Sequence, residues 1–319
     1  MRLLIVKTSS MGDVVHATPV VADILRVHPA AEIEWLVEAP FAAIPQMHPG
    51  VKRVLPMAWR KWRGQLLQGK TWRAMGALKA EMRRAPYDLV LDLQGLLKSA
   101  VWARQAAGPV AGYDAASARE TWAASFYRYK AAVPRTLHAV QRCRLLAAAH
   151  LGLPPPADPP QFGLRPPTPA WLPRGAFSVL IPNASRKEKL WPERHWVQVG
   201  RRLAELGCPP LVLWGRDDEQ TLAERIAADC DGDVPPFLKV GEMASVLAQA
   251  RHVVGLDTGF THLAAALGRP TLGIYCDHEP GLAGITGPGP VASIGGTAQV
   301  PSRNDVLDLL EHQIRAAAG

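Results

Sequence analysis

A chain of 319 residues, 48% of them hydrophobic, is long enough for two domains with separate cores. No run of about 18 uncharged apolar residues occurs, which excludes a transmembrane helix; the apolar run at Leu3–Val6 is too short for a signal peptide, so a cytoplasmic chain is expected. The net charge of +8 calls for an anionic partner, and Cys143, Cys208, Cys230 and Cys276, with no CxxC among them, read as reduced thiols.

The first predicted strand is Arg2–Lys7, followed by the polar loop Thr8–Asp13 and a helix over Val14–Val27 with Pro19 as an irregularity. This is a βα unit whose loop lies where open parallel sheets bind ligands. The loop is neither GxGxxG nor Walker A, which argues against an NAD-dependent dehydrogenase. Asp13, at the mouth of the helix, is a helix-terminal carboxylate or a general base. Further strands are expected at Ile33–Val37, Val51–Leu55, Asp88–Leu93 and Val110–Tyr113, with helices at Phe41–Met47, Leu96–Ala106 and His138–Leu151. Between Met57 and Ala85 stand Arg60, Lys61, Arg63, Lys70, Arg73, Lys79, Arg83 and Arg84 against Glu81 alone, with Trp59, Trp62 and Trp72 interleaved. Such a run is a solvated face or a binding surface. Nucleic acid is one partner it could serve, but no RRM, KH or zinc-finger signature accompanies it.

Pro154 to Pro173 holds nine prolines in twenty residues and reads as a stiff, extended linker. The α/β alternation then restarts. Strands are expected at Phe177–Ile181 and Leu211–Trp214, and helices at Pro192–Leu206, Asp217–Ala228 and Glu242–Ala250. Between the first strand and helix lies the polar, basic loop Asn183–Lys189. Arg251–Cys276 forms the central unit of this half: a strand over His252–Leu256, the small polar Asp257-Thr258-Gly259, a helix over Phe260–Leu267 stopped by Gly268, and a strand over Thr271–Tyr275. A loop of this kind gathers free N–H groups and the positive end of a helix dipole, which favours phosphate. Thr258, Thr261 and His262 add donors, and Gly259 allows close approach; a simple helix cap is the plainer alternative. Asp257 would repel phosphate, so its expected part is to orient the loop or bind a sugar hydroxyl. Gly281–Gly296 is expected to be irregular, and Asp305–Ala317 to be a last helix capped by Ser302. Asp231-Gly-Asp233 matches a metal-binding DxD pattern but reads as an exposed turn. Two α/β halves with ligand-type loops, joined by a proline linker, describe two Rossmann-like domains facing across a cleft.

Taken together, Lys7-Thr-Ser-Ser-Met-Gly-Asp13, Asp92-Leu-Gln-Gly-Leu-Leu-Lys98, Arg119-Glu120, Lys189-Leu-Trp-Pro192, Trp214-Gly215 and Asp257-Thr-Gly-Phe-Thr-His262 resemble the bacterial lipopolysaccharide heptosyltransferases. The KTSSMGD wording matches those adding the first heptose better than those adding a later one. The resemblance runs to about residue 315 and implies an α/β fold of the GT-B type. It divides the chain into an acceptor domain over 1–153, the linker 154–174, an ADP-heptose domain over 175–300 and a C-terminal helix over 301–319, which could pack back on the first domain. It implies an inverting transfer from ADP-heptose to Kdo-lipid A with no metal and no cofactor, peripheral contact with the anionic inner membrane on its cytoplasmic face, and no nucleic acid. By match, Asp13 is the catalytic base. Lys189, Thr258, Gly259 and His262 hold the diphosphate, Asp257 and Glu219 take donor hydroxyls, and Ser185 is counted among the donor-binding residues. Relatives often carry paired threonines where this loop reads Asn183-Ala-Ser-Arg-Lys187, so Ser185 keeps the one hydroxyl there. Arg60, Lys61 and Arg63, helped by Arg119, are expected to meet the acceptor's phosphates and carboxylates, with Trp59 and Trp62 offering flat surface to a sugar ring.

Overall fold

Apolar strands alternating with helices bury both faces of a parallel sheet, and the chain builds two such sheets. A computed structural model describes residues 1–318. It divides into two units, Met1–Leu164 and Arg165–Gly319.

The first unit runs β1 (Arg2–Val6), α1 (Met11–Ala17), α2 (Pro19–Val27), β2 (Glu32–Glu38), α3 (Ala43–Gln46), β3 (Val51–Met57), α4 (Trp59–Trp62), α5 (Gly69–Met82), β4 (Leu89–Asp92), α6 (Leu97–Ala103), β5 (Val110–Tyr113), β6 (Tyr129–Ala131) and α7 (Ala139–Leu151). All strands are parallel, in the order β3-β2-β1-β4-β5-β6. The expected helix over Val14–Val27 is two helices. Pro19 opens the second, and its ring and missing N–H break the ladder at Thr18. The segment after Arg119 holds a 3-10 turn at Thr121–Phe126 and the short edge strand β6, which the sequence reading did not place.

The second unit runs β7 (Ser178–Ile181), α8 (Glu193–Glu205), β8 (Pro210–Val212), α9 (Asp217–Ala228), α10 (Val240–Leu247), β9 (Val253–Leu256), α11 (Gly259–Ala266), β10 (Thr271–Tyr275), α12 (Pro280–Ala283), β11 (Val291–Gly295) and α13 (Arg303–Ala318). Its strands are also parallel, ordered β11-β10-β9-β7-β8. Gly281–Gly296, expected to be irregular, contains α12 and β11. The prolines and glycines lie in the connection, while Val291 and Ile294 pair with β10. Val306 and Leu310 of α13 are buried in the second unit's core, and Ser302 caps the helix through Asp305.

The proline segment has no helix or strand, as its composition requires, but its first part is packed rather than free. Phe162 is buried, and Asp158 meets Arg26 through its carboxylate and Arg144 through its carbonyl. The Asp-Gly-Asp stretch is a turn with Asp231 at φ +51° and Asp233 bridged to Leu211. All four cysteines are free. Among the described residues no helix is long and apolar enough to cross a membrane.

Candidate active site

Each strand order contains one point where neighbouring strands send their crossovers to opposite faces. In the first sheet it lies between β1 and β4, in the second between β7 and β9. Loops leaving the strand ends there splay apart and leave a crevice for ligand. Four of the motifs found in the sequence sit on these loops, while Arg119-Glu120 follows β5 and Trp214-Gly215 follows β8.

In the first unit the loop after β1 and the loop after β4 interlock. Asp92, fully buried at the end of β4, accepts hydrogen bonds from the N–H groups of Gln94 and Gly95 and from the hydroxyls of Ser99 and Tyr127. Gln94 is thereby held with its carbonyl accepting from Thr8 N (2.6 Å) and Thr8 Oγ1 (2.7 Å). Gly95 has φ +69°, a conformation that disfavours a side chain, and a Cβ there would crowd Tyr113 and Arg119. Lys7 donates to Leu93 O (3.1 Å) and Lys98 to Ser9 Oγ (2.7 Å).

Asp13 stands at the centre of this lattice. Ser10 donates to it through N (3.0 Å) and Oγ (2.8 Å), closing the first turn of α1. Lys7 Nζ lies 3.8 Å away and Arg119 3.6 Å away. Burial alone would raise its pKa; Lys7, Arg119 and the Ser10 bonds outweigh that and bring it from 3.8 to about 2. Arg119 reaches the carboxylate because Glu120 is pinned to the β4 loop, its N–H on Gly95 O and its carboxylate on Leu97 N.

The basic run divides. Arg60 and Arg63 lie near Glu38, whose pKa burial raises against the pull of Lys98, Arg60 and Arg63. Arg60 also stacks its guanidinium over Phe41 at 5.4 Å. Lys98, half-buried, has its pKa lowered by burial, with Glu38 opposing and Arg60 and Arg63 assisting. Lys7, Glu38, Gln94 and Lys98 therefore join the candidate site, though their types and spacing did not single them out. Lys98 ends a quoted motif, the one signal that could have found it. Lys61 is exposed on the same short helix, α4. The expectation for Trp62 is corrected. Trp62 is buried against Trp102, and Trp59 packs half-buried on the same core, because the unit needs aromatic volume under α5. The exposed indoles are Trp72 and Trp122.

In the second unit the loop after β7 meets the loop after β9. Lys189 Nζ donates to Asp257 Oδ2 (2.5 Å), and His262 Nε2 lies 3.1 Å from Asp257 Oδ1. Burial raises the pKa of Asp257, but the hydrogen bonds from His262 and Lys189 lower it further, well below the usual carboxylate range. Thr258 caps α11 by position, with Thr261 Oγ1 at 3.3 Å and that hydroxyl donating to Leu256 O (2.6 Å). The N–H groups of the first turn, Gly259 among them, have no intrahelical acceptor. A lysine and a histidine gathered on one carboxylate at a helix N-terminus have the donors that an anion would need. Ser185 is exposed on the β7 loop. Glu219 folds back, its Oε2 accepting from Gly215 N (2.9 Å) and its Oε1 pairing with Arg216 (3.2 Å), one strand away from the switch point. Among the described residues no group of three His, Cys, Asp or Glu is placed to hold a metal ion.

Comparison with known proteins places this geometry. The model of glycosyltransferase family 9 (heptosyltransferase) matches residues 75–303. The chain is 42% identical to lipopolysaccharide heptosyltransferase 1 of Pseudomonas aeruginosa over 294 residues, covering 90% of this chain and 82% of the relative. It is 38% identical to the Escherichia coli K12 protein of the same name, covering 89% and 90%. The structure is similar to E. coli heptosyltransferase WaaC with ADP, at TM-score 0.90 and 36% identity, over 98% of this chain and all of that one. With WaaC carrying ADP-2-deoxy-2-fluoro heptose the TM-score is 0.88 and the identity 34%, over 98% and 99%. Parallel sheets ordered about two switch points, each with motif-bearing loops at its strand ends, agree with that likeness, and the chain belongs to glycosyltransferase family 9, the heptosyltransferases.

Proposed function

We propose that this chain moves L-glycero-D-manno-heptose from ADP-heptose to a Kdo sugar of Kdo-lipid A, in lipopolysaccharide inner-core synthesis. The transfer inverts the anomeric centre and uses no metal. The observation that carries the reading is the Lys189–Asp257–His262 cluster at the N-terminus of α11, a receptor for a departing diphosphate. The relatives' names and the solved complexes of WaaC with ADP and with ADP-2-deoxy-2-fluoro heptose support the same donor.

In this mechanism Asp13 takes the proton of the acceptor hydroxyl as its oxygen bonds to the anomeric carbon. The bond from that carbon to the diphosphate oxygen breaks, and ADP leaves with the electron pair. Lys189, His262, Ser185, Thr258 and the N–H of Gly259 meet the growing charge on the diphosphate. Asp257 holds the Lys189 and His262 side chains in place and, with Glu219, serves the donor's hydroxyls. Arg60, Lys61, Arg63 and Arg119 take the acceptor's carboxylates and phosphates. An anionic acceptor that draws Arg119 away from Asp13 also relieves the pull on the carboxylate and strengthens it as a base. The lipid acceptor puts the enzyme at the cytoplasmic face of the inner membrane, as a peripheral protein.

The test is transfer itself. Incubation with ADP-heptose and Kdo-bearing lipid A, followed by mass spectrometry, should add one heptose to the acceptor. Transfer only to an acceptor that already carries heptose would move the enzyme to a later step. Turnover of neither would refute the reading.

A further inference from the structure

The first unit carries an apolar surface that the transfer chemistry does not use. A groove of 390 Å³ opens between α4, α5 and α6, with Trp59, Trp72, Met75, Val101 and Trp102 among its lining. One side of α5 faces inward through Thr71, Leu78 and Met82; Trp72, Gly76 and Lys79, at helical spacing, line the groove on another. Trp72 is 58% exposed, yet its indole N–H is already satisfied by Leu66 O at 2.7 Å. The ring is therefore held outward as apolar surface with no polar need of its own. The turn before α5 presents Leu66, 41% exposed, and Leu67, wholly exposed. Single exposed leucines are ordinary, but two adjacent leucines, the first tied by its carbonyl to an outward indole, beside an open apolar groove make a contiguous patch.

Charge surrounds it with one sign. Lys61, Arg63, Lys70, Arg73 and Lys79 are all exposed. Glu81, the one acid between Met57 and Ala85, is engaged by Arg53. Leucines and an indole at the tip with cations around them match the layering of an anionic bilayer surface, with apolar groups below and phosphates above.

We propose that this face docks on an anionic lipid bilayer, with Leu66, Leu67 and Trp72 entering the interfacial layer and the surrounding lysines and arginines pairing with lipid phosphates. The proposal deepens the reading of a membrane lipid as acceptor by identifying the surface that meets the membrane.

Co-sedimentation with phosphatidylcholine vesicles, with and without phosphatidylglycerol, tests it. The full-length protein should bind the anionic vesicles, release them with added salt, and leave the neutral ones in solution. A Leu67→Glu/Trp72→Ala variant should bind anionic vesicles at least about tenfold more weakly. It should melt at the wild-type temperature and turn over a water-soluble, chain-free acceptor at the wild-type rate. As a second measurement, brominated phosphatidylglycerol should quench the fluorescence of the wild type more than that of Trp72→Phe. Wild-type protein that ignores anionic vesicles would overturn the proposal, as would a double variant that binds them undiminished. Undiminished vesicle binding with a raised KM for an acylated acceptor alone would assign the groove to the acceptor's own chain instead. A wild type that docks on vesicles but never uses ADP-heptose would leave docking standing and sink the transfer reading.

Discussion

Asp13 shows how much a single carboxylate depends on its surroundings. Two cations and a serine hold it ionised down to about pH 2, so it stays ready to accept a proton across the physiological range. Asp13→Asn keeps size and capping geometry but removes the base. Transfer should fall by roughly 10²- to 10⁴-fold, with ADP affinity, read by calorimetry, nearly unchanged; a lost ADP site with preserved saturated rate would reassign the residue. The depressed pKa also fixes a sign. Asp13 contributes stability that is fully present above its ordinary pKa of 3.8 and is lost as the pH falls toward 2. An acid limb in kcat/KM above pH 5 should therefore belong to another group and survive Asp13→Glu. In the other unit, Lys189→Ala and His262→Ala each remove a charge-assisted bond proposed for the diphosphate. Each should cost about 1.5–3 kcal/mol of ADP binding, or roughly ten- to a hundredfold in Kd. Wild-type affinity in both variants would displace the proposed donor site.

At the scale of elements, the β1 and β4 loops stand or fall together through Asp92. Its four hydrogen-bond donors come from the β4 loop, α6 and the segment leading into β6. Asp92→Ala would strand those of Gln94, Gly95 and Tyr127 in the interior, Ser99 keeping Leu96 O, and should destabilise the protein by on the order of 3 kcal/mol. It should also reduce activity, because Gln94 would no longer be held against Thr8. Asp92→Asn keeps an acceptor and should cost much less. Burial raises the pKa of Asp92, the opposite of Asp13, so its ionised form weakens the fold as pH rises above the ordinary 3.8. Denaturant melts should accordingly show the wild type's advantage over Asp92→Asn shrinking from acid toward neutral pH. The motif Asp92–Lys98 was visible as a string of residues. That its aspartate serves the loop, its glutamine the neighbouring loop and its lysine Ser9 came only with β1 beside β4.

For the whole molecule, two predictions separate charge that acts in the reaction from charge that decorates a surface. Turnover should persist in excess EDTA, since Lys189, His262 and the α11 N–H groups are proposed to meet the leaving charge. Activity lost to the chelator and restored by magnesium would overturn that assignment. Arg60→Ala/Lys61→Ala/Arg63→Ala should raise the acceptor KM and flatten its salt dependence, because exposed charges are screened over about 10 Å at 0.1 M salt. The KM for ADP-heptose should not move. An unchanged acceptor KM at low salt would leave this run a solvated face.

The amino-acid sequence by itself determined the class of fold, the alternation that builds two α/β units, and the loops that carry chemistry. Apolar run length, turn residues and helix caps are local signals, and they placed Val110–Tyr113, Asp217–Ala228 and Thr271–Tyr275 at the residues observed. Packing contacts far apart along the chain are not written in any one window. Trp59, Trp62 and Trp72 look alike in a basic run, yet the core takes Trp62, covers Trp59 in part and leaves Trp72 outside. Gly281–Gly296 looks irregular by composition, yet pairing with β10 makes Val291–Gly295 a strand. Lys98 gains its place only because parallel pairing of β1 with β4 brings Ser9 to it across 89 residues. Tertiary structure decided these matters because burial, strand pairing and charge neighbourhoods are set by what lies across space, and local propensity carries no record of it.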